Sequence, residues 1–331
     1  MKKIINDANQ VVLDMVKGIA AAYPDRLKHL PDTMVLARKQ PAGSEKVGLV
    51  SGGGSGHEPA HAGYIGEGML DAAVSGEVFT SPTPDQVFEA IKAVDNGAGV
   101  FLVVKNYTGD VLNFEMAAEL ADAEGIKVEH VVVNDDVAVE DSSFTSGRRG
   151  IAGTVFVHKI AGAKAEAGGS LEEVKSVAEK TVANARSMGM ALSSGTVPAA
   201  GKPGFQLADD EMEIGIGIHG EPGIERKAIA SADEIAEELT NKVLADIDFA
   251  AGDEVAVMIN GLGATPEMEL YILNGKVQEL LAAKNIRVYK TFVGEYMTSL
   301  EMAGCSVTLL KLDEELKELL DAPSQAPAFK M

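Results

Sequence analysis

From residue 34 onward, short apolar runs alternate with helical ones, and this rhythm limits the fold more than any other feature of the chain. Residues 34–37 read as a short strand and 47–50 as a second. A helix is expected over 85–95, a buried strand over 99–104 (GVFLVV), a helix over 111–123, a strand over 128–133 and a helix over 154–167. Apolar runs of four to six residues separated by amphipathic stretches specify a mostly parallel sheet with helices on its faces. Before this region, apolar residues at helical spacing over 8–23 (Val11, Val12, Met15, Val16, Ile19, Ala20) end at Tyr23-Pro24.

A long helix is expected over 171–188, and the stretch after it, 193–205, is rich in Ser, Gly and Pro. We therefore expect two α/β domains, each a mostly parallel or mixed sheet flanked by helices, spanning residues 1–190 and 191–331. The second opens with residues 211–219, EMEIGIGIH, in strict alternation: Met212, Ile214, Ile216 and Ile218 share one face, with Gly215, Gly217 and His219 on the other. The two glycines leave room for another backbone or a ligand. A helix (232–244), a strand (254–259), a turn (260–263), a helix (266–283), strands (287–291, 306–310) and a helix (313–320) follow, and the Pro-containing tail is expected to fray.

Residues 51–56, SGGGSG, follow the apolar run 47–50 and precede His57-Glu58-Pro59. Glycines this dense cannot pack a core, so they read as a loop kept where backbone turns sharply or approaches something closely. The loop lacks the Lys-Ser or Lys-Thr of a phosphate-binding P-loop, and His57 stands where a dinucleotide fingerprint needs its third glycine. His57 and His61 have i, i+4 spacing but no further Cys or His nearby, so no metal site is expected. Lys105 and Asp110 bracket the loop after the strand 99–104, at a carboxyl end where open α/β sheets bind ligands. Asp110 suits a helix cap or first-turn acid equally with a base beside His57. His219 leads into the turn Gly220-Glu221-Pro222-Gly223; a neutral imidazole there can serve as nucleophile or base.

With 29 Lys and Arg against 50 Asp and Glu, the net charge is −21, which repels nucleic-acid phosphate and anionic lipid. No nucleic-acid or membrane partner is expected. Asp7 and Asp14 interrupt any signal-peptide core, and the lone Cys305 suits a reducing compartment, so a cytoplasmic location is expected.

Three segments together, residues 51–61 (SGGGSGHEPAH), 105–110 (KNYTGD) and 217–223 (GIHGEPG), closely resemble the dihydroxyacetone kinase family, specifically its substrate-binding K subunit of the phosphoenolpyruvate-dependent type. The resemblance runs along nearly the whole chain. It implies that His219 attacks the ketone carbon of dihydroxyacetone and holds it as a covalent hemiaminal. It further implies that His57 and Asp110 meet the substrate hydroxyls, with Asp110 as base, and that Gly54, Ser55, Gly56 and Lys105 contact substrate. Since attack needs neutral imidazole, the adduct is expected to weaken at acid pH. By the same resemblance, the chain carries no cofactor of its own. A separate L subunit holding ADP and Mg would donate the phosphoryl group, recharged by a phosphotransferase-system protein, and the K subunit would be a homodimer. An alternative is a K-like sensor of dihydroxyacetone that acts as a transcriptional co-activator without phosphoryl transfer. A sugar-binding protein with no covalent step would leave the GIHGEPG segment unexplained.

Overall fold

The computed structural model describes residues 2–39, 45–141 and 145–331. In chain order the first part comprises α1 (Val11–Ala22), β1 (Leu27–His29), β2 (Val35–Arg38), β3 (Gly48–Ser55), β4 (Ala72–Val78), α2 (Pro84–Val94), β5 (Val100–Lys105), α3 (Thr108–Ala123), β6 (Val128–Val133), α4 (Thr154–Glu166) and α5 (Leu171–Asn184). Its six strands lie in the order β1-β2-β4-β3-β5-β6. The pairs β4/β3, β3/β5 and β5/β6 are parallel; β1/β2 and β2/β4 are antiparallel. The second part comprises β7 (Ala185–Ala191), β8 (Glu211–Ile214), β9 (Glu225–Ala228), α6 (Ala232–Leu244), β10 (Glu254–Gly261), α7 (Glu267–Ala283), β11 (Arg287–Gly294), β12 (Gly304–Leu312), α8 (Glu314–Asp321), and a hairpin of β13 (Gln325–Ala326) and β14 (Phe329–Lys330). Its sheet runs β11-β10-β12-β7-β8-β9, with β10/β11 the parallel pair in an otherwise antiparallel ladder. Both sheets are mixed and flanked by helices, as expected.

The glycine stretch departs from expectation. It is the second half of β3, not a loop after it: the strand continues to Ser55 and is buried at every position. A Cβ at Gly52 would lie 2.4 Å from the Val74 carbonyl of β4, and one at Gly54 would lie 2.6 Å from Thr80 N. The glycines admit neighbouring backbone into a fully buried strand. The long helix expected to 188 stops at Asn184, because residues 185–191 pair with β12 as β7. The alternating run from 211 stays in its ladder only to Ile214; Gly215, at φ +76°, turns the chain out of the sheet. His219 therefore stands on a loop, not at the end of a strand. Nor does the tail fray: Ala328 N donates to Gly63 O, Gln325 N donates to Glu67 O, and Phe329 is buried.

Helix α4 lies at the centre. It has no single apolar face, since Val155, Phe156, Val157, Ile160, Ala161 and Ala163 are buried around its circumference. A Cβ at Gly162 would sit 2.6 Å from Gly68 O, so the helix and the loop before β4 touch backbone to backbone. The buried Asp135 organises its start by accepting from Ile151 N and Gly153 N, each at 2.8 Å. The largest apolar cluster runs through residues of both sheets, joining Leu49, Phe101 and Val103 to Met258 and Leu310. One continuous core thus couples the carboxyl ends of β3 and β5 to the loops of the second sheet.

Candidate functional site

Three loops meet at those carboxyl ends. His57 follows β3 after Gly56 and is buried; its ring stacks on Phe79 with centroids 5.1 Å apart. Its Nδ1 lies 2.7 Å from the Thr298 carbonyl, so Nδ1 carries the proton and donates it. Nε2 is left as a buried acceptor with no partner among the described residues. Burial, then the charges of His219 and Lys105, hold the His57 pKa well below its usual value. The imidazole is neutral, with a lone pair available to a hydroxyl proton.

His219 stands edge-on to His57 at 4.8 Å between centroids, with Phe79 at 5.3 Å and Tyr107 at 4.4 Å walling its ring. The carboxylate of Glu221 grips it twice: Oε2 accepts from the His219 backbone N at 2.8 Å, and Oε1 lies 3.0 Å from Nδ1. A carboxylate only accepts, so Nδ1 is the protonated nitrogen and Nε2 holds the free lone pair. Burial would raise the Glu221 carboxyl, but the hydrogen bond and charge of His219, with Arg149 behind, bring it down to about 2. Arg149 is itself fully buried; it donates to Asp136 Oδ2 at 2.8 Å and to Gly215 O at 2.7 Å. Gly217 makes this possible, since a Cβ there would fall 2.0 Å from Glu221 Oε2. The space left by Gly217 is filled by the carboxylate that orients His219, and that beside Gly215 by Ala138 and Ile224.

Asp110 lies in the first turn of α3, which begins at Thr108, earlier than its apolar pattern suggests. Its side chain does not cap the helix. Oδ2 is 3.7 Å from Lys105 Nζ, and Oδ1 is buried without a partner among the described residues. Lys105 is fully buried, and desolvation, only partly opposed by Asp110, lowers its pKa. Gly54, Phe79, Thr80, Ser81, Tyr107, Thr108, Gly109, Asp110, Asn113 and His219 enclose a cleft of about 600 Å³. The other two residues of the glycine segment are engaged elsewhere: Ser55 Oγ donates to Gly76 O at 2.7 Å, and Gly56 packs against Phe79. His61 turns away from His57 towards Lys105 and His158. Among the described residues no group of three or more His, Cys, Asp or Glu is arranged to hold a metal ion.

An imidazole nitrogen with a free lone pair and a carboxylate thus line one cleft, with the neutral, buried imidazole of His57 packed against the first. The family model described as "Dak1 domain" matches residues 17–328. The chain belongs to the Dak1 family. It is 60% identical over 332 residues to "PTS-dependent dihydroxyacetone kinase 1, dihydroxyacetone-binding subunit DhaK" of Listeria innocua serovar 6a, covering 99% of this chain and 100% of that protein. Among solved structures, "Dihydroxyacetone kinase operon co-activator Dha-DhaQ" superposes with a TM-score of 0.90 at 40% identity, covering 98% of each chain. The dihydroxyacetone kinase of C. freundii, in complex with AMP-PNP and Mg2+, superposes with a TM-score of 0.92 at 36% identity, covering 99% of this chain and 61% of that one.

Several residues of this Dak1 site escaped the sequence reading. Phe79 follows β4, a strand with no distinct local signal, and nothing in the spacing marks Tyr107 between Lys105 and Asp110. Glu221 was visible only as part of a turn. The one signal for the Asp136–Arg149 pair was the position of Asp135-Asp136 just beyond β6, at the same end of the sheet as the site.

Proposed function

We propose that this chain is the dihydroxyacetone-binding subunit of a phosphoenolpyruvate-dependent dihydroxyacetone kinase. The observation that carries the reading is His219, with Nδ1 tied to Glu221 and Nε2 free, packed edge-on against His57 in the wall of a cleft that Asp110 also lines. In the adduct step, His219 Nε2 forms a bond to the ketone carbon while the carbonyl π pair moves to oxygen. The oxygen gains a proton and Nδ1 gives one up, so the hemiaminal is a simple addition with nothing lost. Glu221 stabilises the positive charge that the imidazole carries in between. His57 Nε2 accepts from a substrate hydroxyl, and Asp110 takes the proton of the hydroxyl being phosphorylated. A covalent bond to the carbonyl separates ketones from glycerol, which hydrogen bonds to hydroxyls would discriminate poorly.

Apart from its imidazole, the cleft lining is neutral or acidic, unsuited to holding a nucleotide polyphosphate. The nucleotide and Mg are therefore assigned to a separate L subunit, recharged by a phosphotransferase-system protein. The name of the Listeria relative, PTS-dependent and a subunit, supports this division. We also assign this chain to a homodimer.

The test is phosphoryl transfer in a mixture of this protein, dihydroxyacetone, an ADP-loaded L subunit and its phosphorylated donor, with His219→Ala as control. Dihydroxyacetone phosphate should form only with intact His219. The likeness to an operon co-activator favours one second reading, a ketone sensor without phosphoryl transfer. Ketone binding by carbonyl-carbon NMR, without product from a partner active with another K subunit, would establish that reading instead.

A further inference from the structure

Behind the cleft lies a string of buried polar side chains that the adduct chemistry does not use. Lys105 Nζ is 3.1 Å from His61 Nε2, and His61 Nδ1 is 3.0 Å from His158 Nε2. Ser51 Oγ, which donates to Val103 O at 2.7 Å, lies 3.3 Å from the same His61 Nδ1. All four side chains are buried. An ammonium only donates, so His61 Nε2 must be an acceptor and its proton must sit on Nδ1. That proton goes to His158 Nε2, with Ser51 Oγ as a second acceptor nearby. Burial and the Lys105 charge hold both imidazoles neutral, His158 down at about 3. The titratable groups facing Lys105 are His61, Asp110 and the ring of Tyr107, with His57 and His158 also within reach of its charge.

We propose that His61, oriented by His158 and Ser51, is a positioning residue for Lys105: by accepting one ammonium N–H it directs the others towards Asp110 and the cleft. Gly53 completes the arrangement, since a Cβ there would come 2.4 Å from Nζ and 3.5 Å from Asp110 Oδ2. Without His61 a buried ammonium would keep Asp110 at 3.7 Å as its remaining charged partner and would swing towards it. The i, i+4 pair of histidines therefore divides its work, His57 facing the substrate and His61 facing the lysine.

This inference rests on the kinase reading, and two measurements separate them. His61→Leu, which keeps an apolar body and removes the acceptor, should lower turnover about 10- to 100-fold while ketone binding to this chain alone stays within about threefold. His61→Gln, whose side-chain oxygen can stand where Nε2 stands, should recover most of the loss. Independently of turnover, the 15N signal of Lys105 Nζ, identified by its absence in Lys105→Arg, should shift in His61→Leu and return in His61→Gln. Wild-type turnover in His61→Leu, or equal impairment in both variants, would overturn the proposal. If the wild-type protein itself transfers no phosphoryl group, the kinase reading falls, and the Nζ signal still decides whether His61 holds the lysine.

Discussion

Replacing Glu221 by Gln tests how strongly one buried carboxylate controls His219. Glu221 is 2% exposed, so solvent screens its interactions little. Burial alone would raise its pKa above the usual 4.5, yet the His219 hydrogen bond and charge, with Arg149, hold it down to about 2. That difference is worth about 3 kcal/mol of preference for the carboxylate in the folded protein. The carboxylate oxygen 3.0 Å from Nδ1 faces the positive charge that would develop on His219 as Nε2 attacks a ketone. A Gln amide can still accept from Nδ1, and a neutral hydrogen bond returns about 1 kcal/mol. The net loss of about 2 kcal/mol should slow adduct formation ~30-fold. Following the build-up of the tetrahedral carbon of carbonyl-labelled dihydroxyacetone by NMR in each protein measures that rate. A Glu221→Gln protein with a native melting profile and a rate of adduct formation within about twofold of wild type would refute the argument.

Asp110→Asn should leave ketone binding within a few-fold and cut turnover by about 10²- to 10⁴-fold, the range for losing a general base; near-normal turnover would remove Asp110 from that role. Gly53→Ala should cost about 1–3 kcal/mol in denaturant unfolding, because its Cβ would begin 2.4 Å from the buried Lys105 Nζ. Turnover should fall with it by about 100-fold, and an unperturbed variant would show that the lysine is free to move. The depressed Glu221 pKa contributes stability that is complete above 4.5 and disappears as pH falls towards about 2. The melting temperature of the wild-type protein should therefore drop more steeply across that interval than that of Glu221→Gln; parallel curves would contradict it.

Local pattern carried much of the first sheet. The runs at β5 and β6 and the helices α2 and α4 stand close to their expected bounds, because each is an unbroken apolar or periodic stretch whose spacing needs no distant partner. Errors gathered where a distant partner sets the outcome. Glycine density reads locally as a turn, yet residues 52–54 are strand because the backbone of β4 and Thr80 presses against them. Residues 185–188 read locally as the end of a helix, but β12, far along the chain, gives the segment 185–191 a ladder to join. The last residues read as frayed for their prolines, but Gly63 and Glu67 supply the hydrogen bonds that hold them.

The amino-acid sequence by itself determined the α/β class, the negative surface and the three chemical segments around His57, Asp110 and His219. Each of these follows from residue type and short-range spacing. Only the tertiary structure decided what the segments do to one another. It sets His219 4.8 Å from His57, slides Glu221 under the imidazole where Gly217 leaves room, and backs Lys105 with His61 and His158. A histidine's free nitrogen, and hence its chemistry, is chosen by whatever accepts its one proton. Those acceptors, Thr298 O for His57 and Glu221 for His219, reach their places only when the two sheets close over a common core.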